Sequence, residues 1–205
     1  MSVGVIIHEI AEANEAERAF LRSAGNLLRE AVSMPGFGAS VRQSEYGSTK
    51  WRSRHGSVKE LDGEEIWDRI HLGRESGHTG DHTLNLKIEI VDLPGPDDGK
   101  AIIGATELGN LPIRVARWFV EHCMLAGDRV NMAAHLMHQW MHVSGFVHPE
   151  DGHAPTDAPV VIARLVRRAL ERDYGDEIDA KATMMLLGTH TGDDCALPAE
   201  DPSVG

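Results

Sequence analysis

Apolar residues recur at two different periods along this chain, and the two periods predict different elements. Between residues 13 and 33 they return every three or four positions, which is typical of an amphipathic helix. In residues 83–91, TLNLKIEIV, they alternate strictly with polar residues, which predicts a strand with one buried face. The chain is therefore expected to combine helices with at least one sheet.

Weaker patterns predict further elements of both kinds. Apolar runs at 101–106 and 111–116 favour two more strands, and Pro112 suits a strand start or an edge. No clear period runs through residues 39–61, so no element is predicted there. Helical spacing predicts helices over residues 13–33, 64–71, 117–125, about 129–144, and from 156–159 through 174.

Capping residues mark where two of these helices begin. Asp128 suits the N-cap of the helix over 129–144, because a side-chain oxygen there accepts a hydrogen bond from an otherwise unpaired backbone N–H. Thr156 or Asp157 suits the N-cap of the last helix, with Pro159 near its first turn. The most informative stretch of the sequence lies between these two starting points.

That stretch contains the pattern H-Q-x-x-H-x-x-G-x-x-H. His138 and His142 are four residues apart, so a helix would place both imidazoles on one face. Gly145 follows three residues later and can adopt the left-handed conformation that ends a helix and turns the chain. Such a turn would bring His148 to the same ion. Three imidazoles and one open position are typical of a catalytic zinc site, although imidazole also suits iron, nickel and copper.

The pattern resembles the signature of the metzincin zinc peptidases, H-E-x-x-H-x-x-G-x-x-H followed by a methionine-containing turn. Four of the five fixed positions match, over eleven residues. The difference is Gln139, which stands where the family has the glutamate that acts as general base. A residue one position after the first ligand lies about 100° round the helix. Gln139 is therefore expected to flank the metal rather than to bind it.

The resemblance implies an α+β fold of the zincin type. It implies a small mixed or antiparallel sheet over the active-site helix, with residues 13–33 as a backing helix and a C-terminal helix after the motif. It also implies Zn²⁺ as cofactor, bound by His138, His142 and His148, and a peptide or protein substrate hydrolysed by a metal-activated water. Gln139 cannot take up a proton at neutral pH, so activity is expected to be weak or absent.

Three functional interpretations remain at this point. The first is a zinc metallopeptidase scaffold that lacks its base, either a natural pseudo-enzyme or an engineered inactive variant. The second is a module that binds zinc and peptide without cleavage, which Gln139 favours. The third is a histidine-rich protein without a metal, because the chain contains 12 histidines. Metal analysis and the Gln139→Glu variant would separate these interpretations.

Other residues are candidates for supporting roles. His135 lies three residues before His138 on the same helical face, so it is a candidate to support a ligand by a hydrogen bond or to act as a reserve ligand, and His153 in the following loop is another such candidate. No methionine lies between His148 and the last helix, so the family's methionine turn is missing or displaced. The only downstream candidates are Met184 and Met185, for which packing in the core is the simpler role.

Composition narrows the class of partner. A net charge of −12 argues against nucleic acid and against an anionic membrane surface as partners. Cys123 and Cys195 are not part of a C-x-x-C pair, so the metal site is expected to use histidine alone. The N-terminus lacks the cationic region of a signal peptide, and no apolar run approaches 18 residues. A cytoplasmic protein is therefore expected, or a secreted one if the chain has been trimmed.

The same features predict the domain organisation. Residues 1–188 are expected to form a single metallopeptidase-like domain with two lobes, 1–145 and 146–188. Residues 189–205 are acidic and rich in turn-forming residues, which predicts a flexible tail. The sequence does not indicate an oligomeric state.

Overall fold

The computed structural model describes residues 2–47, 49–53, 55–96, 101–148, 156–188 and 196–197. Within these residues the chain is a mixed α+β protein with two small sheets. The helices are α1 (Glu15–Ser33), α2 (Phe37–Gln43), α3 (Gly63–Leu72), α4 (Arg117–Ala126), α5 (Arg129–Val143), α6 (Ala158–Tyr174) and α7 (Ala180–Gly188). The strands are β1 (Gly4–Ala11), β2 (Lys50–Arg52), β3 (Val58–Glu60), β4 (Thr83–Val91), β5 (Gly104–Glu107), β6 (Ile113–Ala116), β7 (Phe146–Val147) and β8 (Ala196–Leu197).

The larger sheet has five strands in the order β1-β4-β6-β5-β8. Strand β4 pairs in parallel with both β1 and β6, β5 runs antiparallel to β6, and β8 is parallel to β5. The sheet is therefore mixed, and the strand predicted over residues 83–91 is confirmed. Its alternation has the expected cause, because one face of β4 lies in the core. The buried residues of that face are Leu84, Leu86, Ile88 and Ile90.

The smaller sheet, β3-β2-β7, is antiparallel. It pairs strand β7, which follows α5, with strand β2, which lies far away in sequence. Lys50 pairs with Val147, and Trp51 pairs with Phe146. Strands β2 and β3 fall in residues 39–61, where the pattern predicts no element. Each has only three residues, too few to show a period of two.

Helix α1 begins with a capping box. The Asn14 side chain accepts a hydrogen bond from the Glu17 backbone N–H, and the Glu17 carboxylate accepts one from the Asn14 N–H. Its apolar face packs against β1 and also against α5. The predicted helix over residues 13–33 is therefore present, and it supports α5 from one side.

Helix α5 is the centre of the fold. Every residue from Val130 to Val143 is buried, because α1, α6, β5 and β6 all pack around the helix. Asp128 caps it as predicted, with Oδ1 accepting a hydrogen bond from the Asn131 N–H at 2.9 Å. A helix held on all sides fixes the directions in which its polar side chains point.

Several observed elements differ from those predicted. The strands expected at 101–106 and 111–116 begin later, at Gly104 and Ile113. Helices α2 and α7 and strand β1 are additional. In β1 a register shift between Ile7 and Glu9 interrupts the alternation that would have revealed a strand.

Two predictions about the ends and the surroundings of the chain can be compared with the structure only in part. The tail predicted over 189–205 lies outside the described residues apart from Ala196–Leu197, which form a short strand. Among the helices that the structure describes, none combines the length and the apolar character needed to cross a membrane.

Candidate metal centre

Three histidine side chains meet at the C-terminal end of α5. One ring nitrogen from each of His138, His142 and His148 lies within 4.8 Å of the others. The ring centroids are 5.1 Å apart for His138 and His142, and 4.6 Å apart for His142 and His148. The side chains are nearly enclosed, since His138 is 2% exposed, His142 0% and the His148 side chain 7%. The structure thus brings together the three residues that the motif singled out.

Gly145 makes the turn that returns His148 to the helix. Its φ is +101°, in the left-handed region that favours glycine, and its N–H donates to the His142 carbonyl at 2.9 Å. A Cβ atom at this position would lie 2.6 Å from the Arg52 carbonyl oxygen and 2.6 Å from Trp51 Nε1. The turn therefore needs glycine both for its conformation and for its space.

Two residues of strand β2 hold this turn in place by hydrogen bonds. The Arg52 N–H donates to the Gly145 carbonyl at 2.8 Å, and Trp51 Nε1 donates to the Ser144 carbonyl at 2.7 Å. The Arg69 guanidinium lies 3.7 Å from the centre of the Trp51 ring. Burial, together with the nearby charge of Arg74, lowers the pKa of Arg69 to about 10, so it remains cationic at neutral pH.

The tautomer of His142 follows from its surroundings. Its Nδ1 lies 2.8 Å from the Phe146 carbonyl oxygen, which can only accept, so Nδ1 carries the proton. Its Nε2 has no hydrogen-bond partner among the described residues. Burial lowers the pKa of His142 to about 4, and the hydrogen bond to Phe146 opposes this only partly. The ring is therefore neutral at pH 7, with a buried lone pair on Nε2, which is the form that binds a metal.

His148 is held by a residue that the sequence pattern assigns only to helix capping. Its Nδ1 is hydrogen-bonded to the carboxylate Oδ2 of Asp157. Asp157 does occupy the N-cap position of α6, but its side chain forms no capping hydrogen bond. The Ala158 N–H instead donates to Thr49 Oγ1 at 3.2 Å. Burial raises the pKa of Asp157 to about 7, and the Ala158 N–H, which lies close to this carboxylate although it donates to Thr49, opposes the rise only partly.

Gln139 points towards the sheet and is not one of the three clustered residues. Its Oε1 accepts a hydrogen bond of 2.7 Å from the Thr106 hydroxyl on β5, and both side chains are fully buried. Its Nε2 has no partner within the part of the chain that the structure describes. The expectation that Gln139 lies beside the open metal position stays a prediction. Nothing in the sequence pattern points to Thr106.

His135 lies outside the three-histidine cluster. Its ring packs against Phe119, with centroids 5.3 Å apart, and it is fully buried. A Cβ atom on Gly104 would lie 2.6 Å from His135 Nε2, so β5 passes directly over this ring. The other candidate, His153, is outside the described residues.

The methionine-turn candidates also lie away from any turn. Met184 and Met185 are both within helix α7. Met184 is 68% exposed, while Met185 belongs to the core. Core packing, the simpler role expected for this pair, therefore applies to Met185 only.

The geometry and the donor set fit a single metal ion. Three imidazoles converge, one of them with a buried lone pair, and a carboxylate and a carbonyl hydrogen-bond two of the rings on the opposite nitrogen. Such a ligand set suits zinc, iron, nickel or copper, so the cluster could hold a metal whose identity is open. No protein-family model, no curated protein and no solved structure matches this chain.

Proposed function

We propose that this protein is a zinc metallopeptidase-like protein whose hydrolytic activity is weak or absent, because Gln139 stands at the general-base position. The observation that carries the proposal is the convergence of His138, His142 and His148 within 4.8 Å. Their spacing, together with the left-handed Gly145, resembles the metzincin pattern in every fixed position except the base.

The residues of the site divide into two roles. His138, His142 and His148 would hold the zinc. The bound ion would lower the pKa of a coordinated water and polarise a substrate carbonyl as a Lewis acid. Gln139 offers only a neutral carboxamide, which can hydrogen-bond but cannot take up a proton at neutral pH. Loss of a positioned base typically costs roughly 10²–10⁴ in rate, so the scaffold can survive while turnover falls.

The proposed substrate is an extended peptide or protein segment. Strand β5 pairs with β6 on one side, and Ala196–Leu197 add to its other side opposite Thr106 and Glu107. That side of β5 already pairs with an extended segment of the chain itself, and a substrate peptide would bind by the same strand addition in place of residues 196–197. Thr106 also donates a hydrogen bond to Gln139, so strand β5 is directly connected to the residue that follows His138.

A second candidate function is a module that binds zinc and peptide without cleaving. The observation that favours it is the hydrogen bond from Thr106 to Gln139, which occupies the carboxamide oxygen inside the core. A site whose polar side chain is neutral and already held in place is suited to binding rather than to proton transfer.

The experiment that tests the proposal is the Gln139→Glu variant. It should gain cleavage of a mixed peptide library, measured by mass spectrometry, by a factor on the order of 10²–10⁴ over the unchanged chain. The gain should be lost on adding a chelator. Zinc content, measured by elemental analysis of protein purified without an affinity tag, should be one ion per chain for both proteins.

The matched control is the double variant Gln139→Glu with His142→Ala, which has the restored carboxylate but lacks one ligand. Cleavage by this control would mean that the activity does not depend on the proposed zinc. A Gln139→Glu variant that holds zinc and cleaves no peptide would favour the binding-module function over the metallopeptidase-like function. Absence of metal from all of these proteins would contradict both candidate functions.

A further inference from the structure

The contact between Asp157 and His148 joins the start of α6 to the last member of the histidine cluster. Asp157 is nine positions after His148 in the chain, yet its Oδ2 is hydrogen-bonded to His148 Nδ1. The Asp157 side chain is fully buried and that of His148 is 7% exposed. The contact is thus shielded from water, in a surrounding of low dielectric where a hydrogen bond is stronger than in water.

The capping of helix α6 does not explain the position of the Asp157 carboxylate. An aspartate at an N-cap normally accepts a hydrogen bond from the first turn, but here the side chain does not do so. The first backbone N–H of the helix, on Ala158, donates to Thr49 instead. The second oxygen, Oδ1, has no hydrogen-bond partner among the described residues. Burial of a carboxylate that forms no capping hydrogen bond lowers the stability of the fold. The hydrogen bond to His148 is therefore the interaction that sets Asp157 apart from an ordinary N-cap residue.

The two rings are oriented by different groups. His142 donates from Nδ1 to a neutral backbone carbonyl, that of Phe146, whereas His148 faces a carboxylate through the same atom. A carboxylate behind an imidazole fixes its tautomer with the proton on the near nitrogen and increases the electron donation of the far one. Of these two rings, His148 is therefore the one whose donor strength depends on a side chain outside the cluster.

We propose that Asp157 is a positioning residue for the metal site, which holds His148 with Nδ1–H towards the carboxylate and Nε2 towards His138 and His142. The inference rests on the metal-binding part of the proposed function and does not depend on peptide cleavage. Asp157 is not one of the three clustered residues, and it would act on the site through His148.

The test is the zinc affinity of the full-length chain, measured by competition with a chromophoric chelator. Asp157→Asn keeps the size and an acceptor oxygen but removes the charge, and it should weaken zinc binding by about 10- to 100-fold. Asp157→Ala should weaken it at least as much. The control is Asp173→Asn, which removes one charge from the far end of α6, where Asp173 pairs with Arg172 at the surface. This control should leave the affinity unchanged.

A second measurement addresses the ring itself, without metal. Nitrogen-15 chemical shifts of His148 in chelator-treated protein should report the Nδ1–H tautomer in the unchanged chain and a mixture of tautomers in Asp157→Ala. Circular dichroism establishes that each variant is folded, and the near-isosteric Asp157→Asn carries the test if Asp157→Ala does not fold.

The outcomes separate the two proposals. Zinc binding by the unchanged chain with the same affinity in Asp157→Asn would overturn this inference and leave the proposed function intact. Absence of zinc binding by the unchanged chain would overturn both. Weakened binding in Asp157→Asn and in Asp173→Asn alike would mean that net charge is responsible, and that result would also overturn the inference.

Discussion

The hydroxyl of Thr106 donates a hydrogen bond of 2.7 Å to Oε1 of Gln139, and both side chains are fully buried. The bond joins strand β5, which lies between β6 and β8 in the sheet, to helix α5, which carries His138 and His142. It fixes the carboxamide of Gln139 by a residue 33 positions earlier in the chain. Gln139 is therefore held by the sheet and not only by its own helix.

Removing this hydroxyl should cost stability and leave metal binding unaffected. Thr106→Val keeps the shape of the side chain but leaves the buried Gln139 oxygen without its donor, which costs about 1–3 kcal/mol in the free energy of unfolding. Thr106→Ser retains the hydroxyl and should lose less. Urea unfolding of the chelator-treated proteins measures the difference. Equal stability of the valine and unchanged proteins would mean that the hydrogen bond makes no net contribution.

Two histidines on α5 should respond in opposite ways to replacement by alanine. His142→Ala should abolish stoichiometric zinc binding, because only two imidazoles of the cluster would remain. His135→Ala should keep the zinc, because its ring packs against Phe119 outside the cluster, and should instead lower the unfolding free energy by about 0.5–3 kcal/mol.

Elemental analysis and urea unfolding of these two variants form the comparison, and each variant is the control for the other. Retention of one zinc per chain by His142→Ala would contradict the three-histidine site. Loss of zinc from a folded His135→Ala protein would mean that the ligand set extends further along the helix.

The convergence of the three histidines could be predicted from the sequence because its causes are local. The four-residue separation of His138 and His142 places them on one face of any helix, and Gly145 supplies the turn within three further residues. The alternation of residues 83–91 identified β4 for a similar reason, since burial of one face sets a period of two.

The groups that support the site could not be predicted because they come from distant parts of the chain. Thr106 reaches Gln139 from β5, and Trp51 binds the turn from 93 positions away in sequence. The sequence pattern predicts Asp157 only as an N-cap residue and gives no sign of its contact with His148. Strand β1 was not predicted because its register shift interrupts the period of two.

The pKa of His71, a residue remote from the three-histidine cluster, should lie below the ordinary histidine value. The rings of His71 and His82 have centroids 5.1 Å apart, and His82 Nδ1 hydrogen-bonds to the His71 carbonyl at 2.9 Å. Burial, and secondly the charge of His82, lowers the pKa of His71. The native state therefore binds fewer protons than the unfolded state just below the ordinary histidine pKa, about 6.5, so this group destabilises the protein as pH falls through that window.

The His82→Asn variant tests the second of these causes. Asparagine tolerates the positive φ of +63° at this position and has an amide that can hydrogen-bond to the same carbonyl. The pKa of His71, followed by NMR titration of its ring protons, should rise towards the ordinary value but remain below it, because burial persists. An unchanged pKa would mean that His82 exerts no electrostatic effect on His71.

Gly145→Ala should damage the metal site through the backbone. The added Cβ would meet the Arg52 carbonyl oxygen and Trp51 Nε1 at 2.6 Å, and alanine would also be strained at a φ of +101°. Because the Arg52 oxygen belongs to the backbone of β2, the clash cannot be relieved by a side-chain rotation. The turn must shift, and it would carry His148 away from the other two ligands.

The matched control for this variant is Gly127→Ala. Gly127 also has a positive φ, +69°, at the C-terminus of α4, but a Cβ there meets nothing within 4 Å. Both variants should lose about 1–3 kcal/mol of unfolding free energy from backbone strain. Only Gly145→Ala should in addition weaken zinc binding, as measured by competition with a chromophoric chelator. If the two variants bind zinc equally well, the close approach of β2 to the turn does not position His148, and the three-histidine geometry must be maintained by Asp157 and α5 instead.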